Sequence, residues 1–159
     1  MDVQSFNIDH DRLQRGVYVS RRDYVGGNCV TTFDVRMKLC NQEPPMEISA
    51  IHTMEHLLAV YMRSPQSGAA NELIYIGPMG CRTGMYMIMK GELEPTDVLD
   101  LLRRSYKSII DFSGEVPATT SATCGNYREH NLTLAKWEAS RYYNEVLIPI
   151  LPENMIYSE

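Results

Sequence analysis

Apolar and polar residues change period several times along the chain, and each change marks an element. Gly16 to Arg22 contains Val17-Tyr18-Val19, Tyr24-Val25-Gly26-Gly27-Asn28 is turn chemistry, and Cys29 to Leu39 alternates and is rich in Val and Thr. Together they predict a β-hairpin. From about Met46 to Arg63 the period lengthens, and Ile51, Met54, Leu58 and Met62 fall near one helical stripe. Pro44-Pro45 introduces this helix and Ser64-Pro65-Gln66-Ser67-Gly68 closes it. Leu73-Ile74-Tyr75-Ile76 reads as a buried strand, Gly77-Pro78-Met79-Gly80 as a break, and Met85 to Met89 as a second short strand. Pro95-Thr96 opens another helix with Thr96 as its N-cap, and Val98, Leu99, Leu102, Tyr106, Ile109 and Ile110 give it an apolar face up to about Phe112. A third helix is expected from His130 to about Leu147, carrying Trp137, before Pro149 and Pro152 break the chain. With no internal repeat and no long linker, residues 1–159 read as one domain. The hairpin argues for an antiparallel β-sheet with helices packed on one face, an α+β architecture.

Composition narrows the function classes. The chain has 159 residues, 44% hydrophobic and 22% charged, enough for one compact domain with a real core. Its formal net charge is −5, and Arg12, Arg15, Arg21 and Arg22 are scattered rather than clustered, so no nucleic-acid partner is expected. No apolar run approaches the roughly 20 residues of a membrane span, and the first residues show no signal-peptide pattern. A cytoplasmic protein with no membrane partner is the expectation. There Cys29, Cys40, Cys81 and Cys124 should be reduced, which makes them buried, metal-binding or catalytic rather than bridged. Ten methionines against three phenylalanines suggest a soft core.

The strongest chemistry lies in the first helix. His52-Thr53-Met54-Glu55-His56 is an H-x-x-E-H run, and at about 3.6 residues per turn His52, Glu55 and His56 share one face. Two imidazoles at that spacing can grip a divalent cation, with a carboxylate beside them to move protons. The bland alternative is a helix whose histidines only hydrogen-bond in a core, and the motif alone does not choose. Cys124, in Thr123-Cys124-Gly125-Asn126-Tyr127, is a candidate third ligand that would leave one position open for water or substrate. It could equally be a buried free cysteine. Cys81 sits in Gly77-Pro78-Met79-Gly80-Cys81-Arg82-Thr83-Gly84, where three glycines and a proline force a tight, exposed path. Such a loop can present a thiolate as general base or nucleophile, or be a structural turn with an incidental cysteine. Arg36, on the second hairpin strand, is by default a solvent-facing charge, and Ser5-Phe6-Asn7-Ile8-Asp9-His10 is equally weak alone.

Taken in register, these blocks resemble the S-ribosylhomocysteine lyase (LuxS) family from end to end. The resemblance runs through Ser5-Phe6 to Asp9-His10, Thr32-Phe33-Asp34-Val35-Arg36, His52 to Ala59, Pro78 to Gly84, and Cys124-Gly125-Asn126-Tyr127 with His130 after it. It implies a LuxS/metallopeptidase-like fold in which His52, His56 and Cys124 hold one Fe(II) per subunit, with zinc as a substitute. It makes Cys81 and Glu55 the acid/base pair and places Ser5, His10, Arg36 and Arg63 at the substrate. It also implies a homodimer with active sites at the interface, the N-terminal block of one subunit completing the site of the other. The implied reaction cleaves the thioether of S-ribosylhomocysteine to homocysteine and 4,5-dihydroxy-2,3-pentanedione, the autoinducer-2 precursor, by successive carbonyl migrations and β-elimination. Tyr75 and Gly77 depart from the family pattern, standing where many members have an acidic residue and a serine, and Met85 stands where an aromatic residue is common. The main alternative is an H-x-x-E-H metallopeptidase, which would need no catalytic cysteine and would use a carboxylate as third ligand. A metal-binding module that has lost activity would rest only on Tyr75 and Gly77.

Overall fold

The computed structural model describes residues 3–158. Four strands form one antiparallel sheet: β1 (Gly16–Val25), β2 (Asn28–Arg36), β3 (Leu73–Pro78) and β4 (Gly84–Lys90), in the order β1-β2-β4-β3. The predicted hairpin is β1-β2, joined at Gly26-Gly27 and registered from Val25↔Asn28 to Gly16↔Arg36. Three helices, α1 (Ile48–Arg63), α2 (Pro95–Asp111) and α3 (Leu132–Tyr142), pack on one face of the sheet and on each other. The architecture is the α+β layer that the alternation implied.

Alternation along the strands decides which residues meet the helices. Val17, Phe33, Val35, Met85, Met87 and Met89 point inward to join Met54, Leu58 and Met62 of α1 and Leu102, Tyr106 and Ile109 of α2 in one core. The soft core is real, since Met46, Met54, Met62, Met85 and Met87 are fully buried. Each contributes about 1.5–3 kcal/mol by burial. The opposite face of β2 is covered too. Tyr157 stacks on Tyr18 at 4.7 Å between ring centroids, and its hydroxyl donates to Asp34 Oδ2 at 2.8 Å. Leu13 and Cys40 complete that smaller cluster.

Several boundaries differ from the sequence expectation, each for a visible reason. β2 ends at Arg36 rather than Leu39, because Met37 N–H and Lys38 N–H both turn to donate to Thr83 O at 2.9 Å. α1 starts at Ile48 rather than Met46, because Met46 N–H donates to Arg82 O at 2.9 Å. The N-cap of α2 is Glu94, not Thr96, and Asp97 Oδ2 accepts from Glu94 N–H at 2.8 Å. α3 starts at Leu132, after Asn131 caps it by accepting from Leu134 N–H, and it continues as a π-helical turn over Tyr143–Leu147. The loop before β4 is thus stitched to the ends of both β2 and α1. Gly84 makes this possible, since a Cβ there would sit 2.2 Å from Val35 O.

Candidate active site

α1 presents His52 and His56 one turn apart, with rings at 88° and centroids 4.7 Å apart. Each ring is fixed from behind. His52 Nδ1 lies 3.0 Å from Glu129 O and His56 Nδ1 lies 2.8 Å from Pro117 O. A carbonyl can only accept, so both Nδ1 atoms carry the proton and both Nε2 atoms are bare. Cys124 Sγ lies 3.4 Å from His52 Nε2 and 3.8 Å from His56 Nε2. A tetrahedral ion with ordinary Zn–S and Zn–N bonds sets such edges at roughly 3.5 Å. The donor set therefore fits a divalent cation.

The structure adds a member that sequence reasoning left without a role. His130 joins His52, His56 and Cys124, and the four ligand atoms all lie within 4.8 Å of one another. Its ring stacks on His52 at 4.0 Å and 28°. Its Nδ1 is 3.1 Å from Thr53 Oγ1, while its Nε2 is buried with no partner. Thr53 has one hydroxyl proton, which it gives to Ser49 O at 3.0 Å, so His130 Nδ1–H must donate to Thr53. All three histidines then show a bare Nε2 to the same point. Burial, reinforced by His52 and His56, holds the His130 pKa below the ordinary imidazole value. His130 stood in the quoted Cys124 block, but nothing in its spacing told of the stacking. Glu55, half-buried on the same helix, makes no hydrogen bond or ion pair among the described residues.

A second group of reactive residues sits at the ends of β2 and the β3-β4 loop. Arg36 is not solvent-facing, as a lone strand arginine would be; it is 2% exposed. Its Nη2 donates to Asp34 Oδ2 at 2.7 Å and its Nε to Asp34 Oδ1 at 3.0 Å, a bidentate pair on one face of the strand. Burial opposes the Arg36 charge, but Asp34 outweighs it and holds the guanidinium pKa above its ordinary value. The third nitrogen, Nη1, donates to Thr83 Oγ1 at 2.7 Å and approaches Cys40 Sγ at 3.6 Å and Cys81 Sγ at 3.9 Å. Cys81 is exposed, as its loop predicted, and Arg82 beside it holds a left-handed φ of 58°.

Comparison with known proteins decides the family. The family model described as S-ribosylhomocysteinase (LuxS) matches residues 3–150. The chain belongs to the S-ribosylhomocysteinase (LuxS) family. It is 48% identical over 155 residues to an S-ribosylhomocysteine lyase of Phocaeicola vulgatus, covering 98% of this chain and 96% of the relative. It is 46% identical over 157 residues to one of Porphyromonas gingivalis, covering 99% and 98%.

Within this LuxS-family chain the expected substrate residues fall in different places. His10 lines a cavity of about 370 Å³ with Cys40, Cys81 and Thr83. Ser5 lines another, of about 600 Å³, on the sheet face away from the helices, with Arg21, Thr32, Tyr75, Tyr86 and Ile88. Arg63 ends α1 and donates from Nη2 to Ile74 O at 3.0 Å. No hydrogen bond or ion pair among the described residues joins the histidine cluster to the Arg36 group. Among the described residues no helix is long and apolar enough to cross a membrane.

Proposed function

We propose that this chain is a metal-dependent lyase that cleaves S-ribosylhomocysteine to homocysteine and 4,5-dihydroxy-2,3-pentanedione, the precursor of the autoinducer-2 quorum-sensing signal. The observation that carries the reading is the convergence of His52 Nε2, His56 Nε2 and Cys124 Sγ in a chain matched by the LuxS model over residues 3–150. The peptidase alternative expected a carboxylate as third ligand, and the cluster among the described residues contains none.

A thioether at C5 of a sugar resists direct hydrolysis. It leaves readily once a carbonyl stands at C3, because the C4 proton is then acidic and the sulfur is β to the resulting carbanion. The carbonyl must therefore move from C1 to C2 to C3, one proton transfer at a time. A divalent ion, Fe(II) or zinc in its place, one per subunit, would supply a Lewis acid that stabilises negative charge on the sugar oxygens. Cys81, as thiolate, removes each carbon-bound proton and returns it to the neighbouring carbon. Glu55 handles the oxygen-bound protons and assists the final elimination. Arg36 is locked by Asp34 and Thr83, so it holds a fixed positive charge beside Cys81 throughout. Ser5, His10, Arg36 and Arg63 bind the substrate.

The protein acts as a cytoplasmic homodimer with a single domain per subunit. The support for a dimer is the separation, within one chain, of the histidine cluster from the cavity that His10 and Cys81 share and from the cavity that Ser5 lines, although all must serve one substrate. The test is thiol release from S-ribosylhomocysteine by anaerobically prepared, Fe(II)-loaded protein. More than one equivalent per subunit, lost in Cys81→Ala with metal content unchanged, is the expected result. A fully loaded protein that releases no thiol overturns the reading.

A further inference from the structure

Two of the four cysteines share every polar neighbour. Cys40 Sγ and Cys81 Sγ both approach Arg36 Nη1, at 3.6 and 3.9 Å, and both approach Thr83 Oγ1, at 3.9 and 3.0 Å. Those shared contacts set an upper bound on the separation of the two thiols. Both line the same cavity, beside His10. Their accessibility differs: Cys81 is exposed, whereas Cys40 is 4% exposed and packs with Leu13 and Tyr18. The remaining cysteines are placed elsewhere, Cys124 against the histidines and Cys29 at the hairpin end of β2.

Both cysteines lie in irregular backbone. Cys40 lies in the turn after β2 and Cys81 in the loop before β4, so neither is held in a strand ladder. Each is followed by a non-glycine residue with positive φ, Asn41 at 61° and Arg82 at 58°. A disulfide needs Cα atoms roughly 4.4–6.8 Å apart and a defined dihedral, which these two loop segments must meet when the bond closes.

We propose that Cys40 is the resolving thiol of Cys81, and that oxidation joins them in a reversible intramolecular disulfide. The oxidant is hydrogen peroxide. The Cys81 thiolate attacks the terminal peroxide oxygen, the O–O bond breaks, and Cys81 becomes a sulfenic acid while hydroxide leaves and takes up a proton. The Cys40 sulfur then attacks the Cys81 sulfur. The S–S bond forms, the S–O bond breaks, and the departing hydroxide leaves as water with the Cys40 proton. Two thiols lose two electrons and one peroxide is reduced. Arg36 Nη1 stands beside both sulfurs and offers positive charge to whichever is anionic. A dithiol reverses the bond by exchange. Without Cys40, the exposed sulfenic acid would have no partner and would go on to sulfinic and sulfonic acids. With Cys81 as the proton shuttle proposed above, the disulfide stops turnover; its formation does not rest on that role.

The experiment treats zinc-loaded protein with an excess of hydrogen peroxide, blocks free thiols by alkylation, and maps peptides without reduction. The expected product is a Cys40–Cys81 linked peptide, with loss of two hydrogens from the intact mass, reversed by dithiothreitol. Cys40→Ser, and Cys40→Ala as a second variant in case serine perturbs the small cluster, should instead carry two or three added oxygens on Cys81 that dithiothreitol does not remove. The proposal is overturned if unmutated protein accumulates the same irreversible Cys81 oxides while Cys40 is alkylated, or if Cys81 links to Cys29 or Cys124. A protein that forms the linked peptide but never cleaves S-ribosylhomocysteine keeps the disulfide and removes the lyase reading. An active lyase with no linked peptide does the reverse.

Discussion

A Cβ on Gly77 would lie 1.9 Å from the Tyr75 hydroxyl oxygen, so the two departures from the family pattern form one coupled change. Tyr75 is 45% exposed and lines the cavity that also holds Ser5, where the resemblance puts substrate contacts. A side chain at Gly77 meets only the mobile end of that ring, and an exposed ring can change rotamer. Gly77→Ser should therefore cost less than about 1 kcal/mol in stability, while displacing the phenol and changing KM more than kcat. Adding Tyr75→Asp restores the commoner pair and should remove the clash, so the two changes must be non-additive. A double-mutant cycle in both thermal midpoint and KM checks this. Strict additivity would mean that the phenol does not occupy the space beside Gly77 in solution. The sequence showed both substitutions but not their contact, because residues two apart on a strand share a face without declaring which way a long ring leans. The same blindness hid Arg36: a strand arginine reads as exposed until Asp34, two residues earlier, is seen to bind it in a fork.

Between elements, one hydroxyl ties the metal helix to α3. Thr53 Oγ1 donates to Ser49 O, accepts from Asn131 N–H at 2.9 Å, and accepts from His130 Nδ1–H. Asn131 in turn caps α3. Thr53→Val keeps the shape and removes the oxygen, leaving the His130 imidazole N–H without its acceptor and Asn131 N–H with only its second bond, to Ser49 O at 3.1 Å. The expected loss is about 1–3 kcal/mol in urea unfolding. It should be accompanied by weaker metal retention against a chelator, because the His130 tautomer is no longer fixed. A stable Thr53→Val protein with unchanged metal retention would show that His130 takes no part at the ion. At this scale the sequence was most informative where periodicity rules, as in α1, whose stripe and terminal Arg63 were legible. It was least so where a tertiary bond sets an end. β2 stops early because of Thr83 O, and α1 starts late because of Arg82 O; neither partner is near in sequence.

For the whole molecule, the question is how residues placed apart reach one substrate. The helices cover one sheet face and leave the other with a cavity lined by Ser5, Tyr75, Tyr86 and Ile88. Large apolar side chains stand exposed around the chain, Phe6 at 79% and Ile74 at 40% among them. Tyrosines and aliphatics around the part of that face left open by Tyr157 and Leu13 suit a subunit contact. The N-terminal block, with Ser5 and His10, is the piece that the dimer reading assigns to the neighbouring subunit's site. That assignment predicts complementation. His56→Ala damages the histidine cluster, and His10→Ala damages the N-terminal block, so each homodimer should be nearly inactive. If the block acts across the interface, a dimer with one chain of each kind has one site carrying both lesions and one carrying neither. With differently tagged chains purified as the mixed dimer, the rate per dimer should return to roughly half of the unmutated value, one whole site of two. If each chain instead builds its own site, both sites of the mixed dimer carry one lesion and the rate stays at the parental level. Loss of recovery on dilution into conditions that separate the subunits would tie the activity to the pair itself, because a site assembled from two chains has no activity in one.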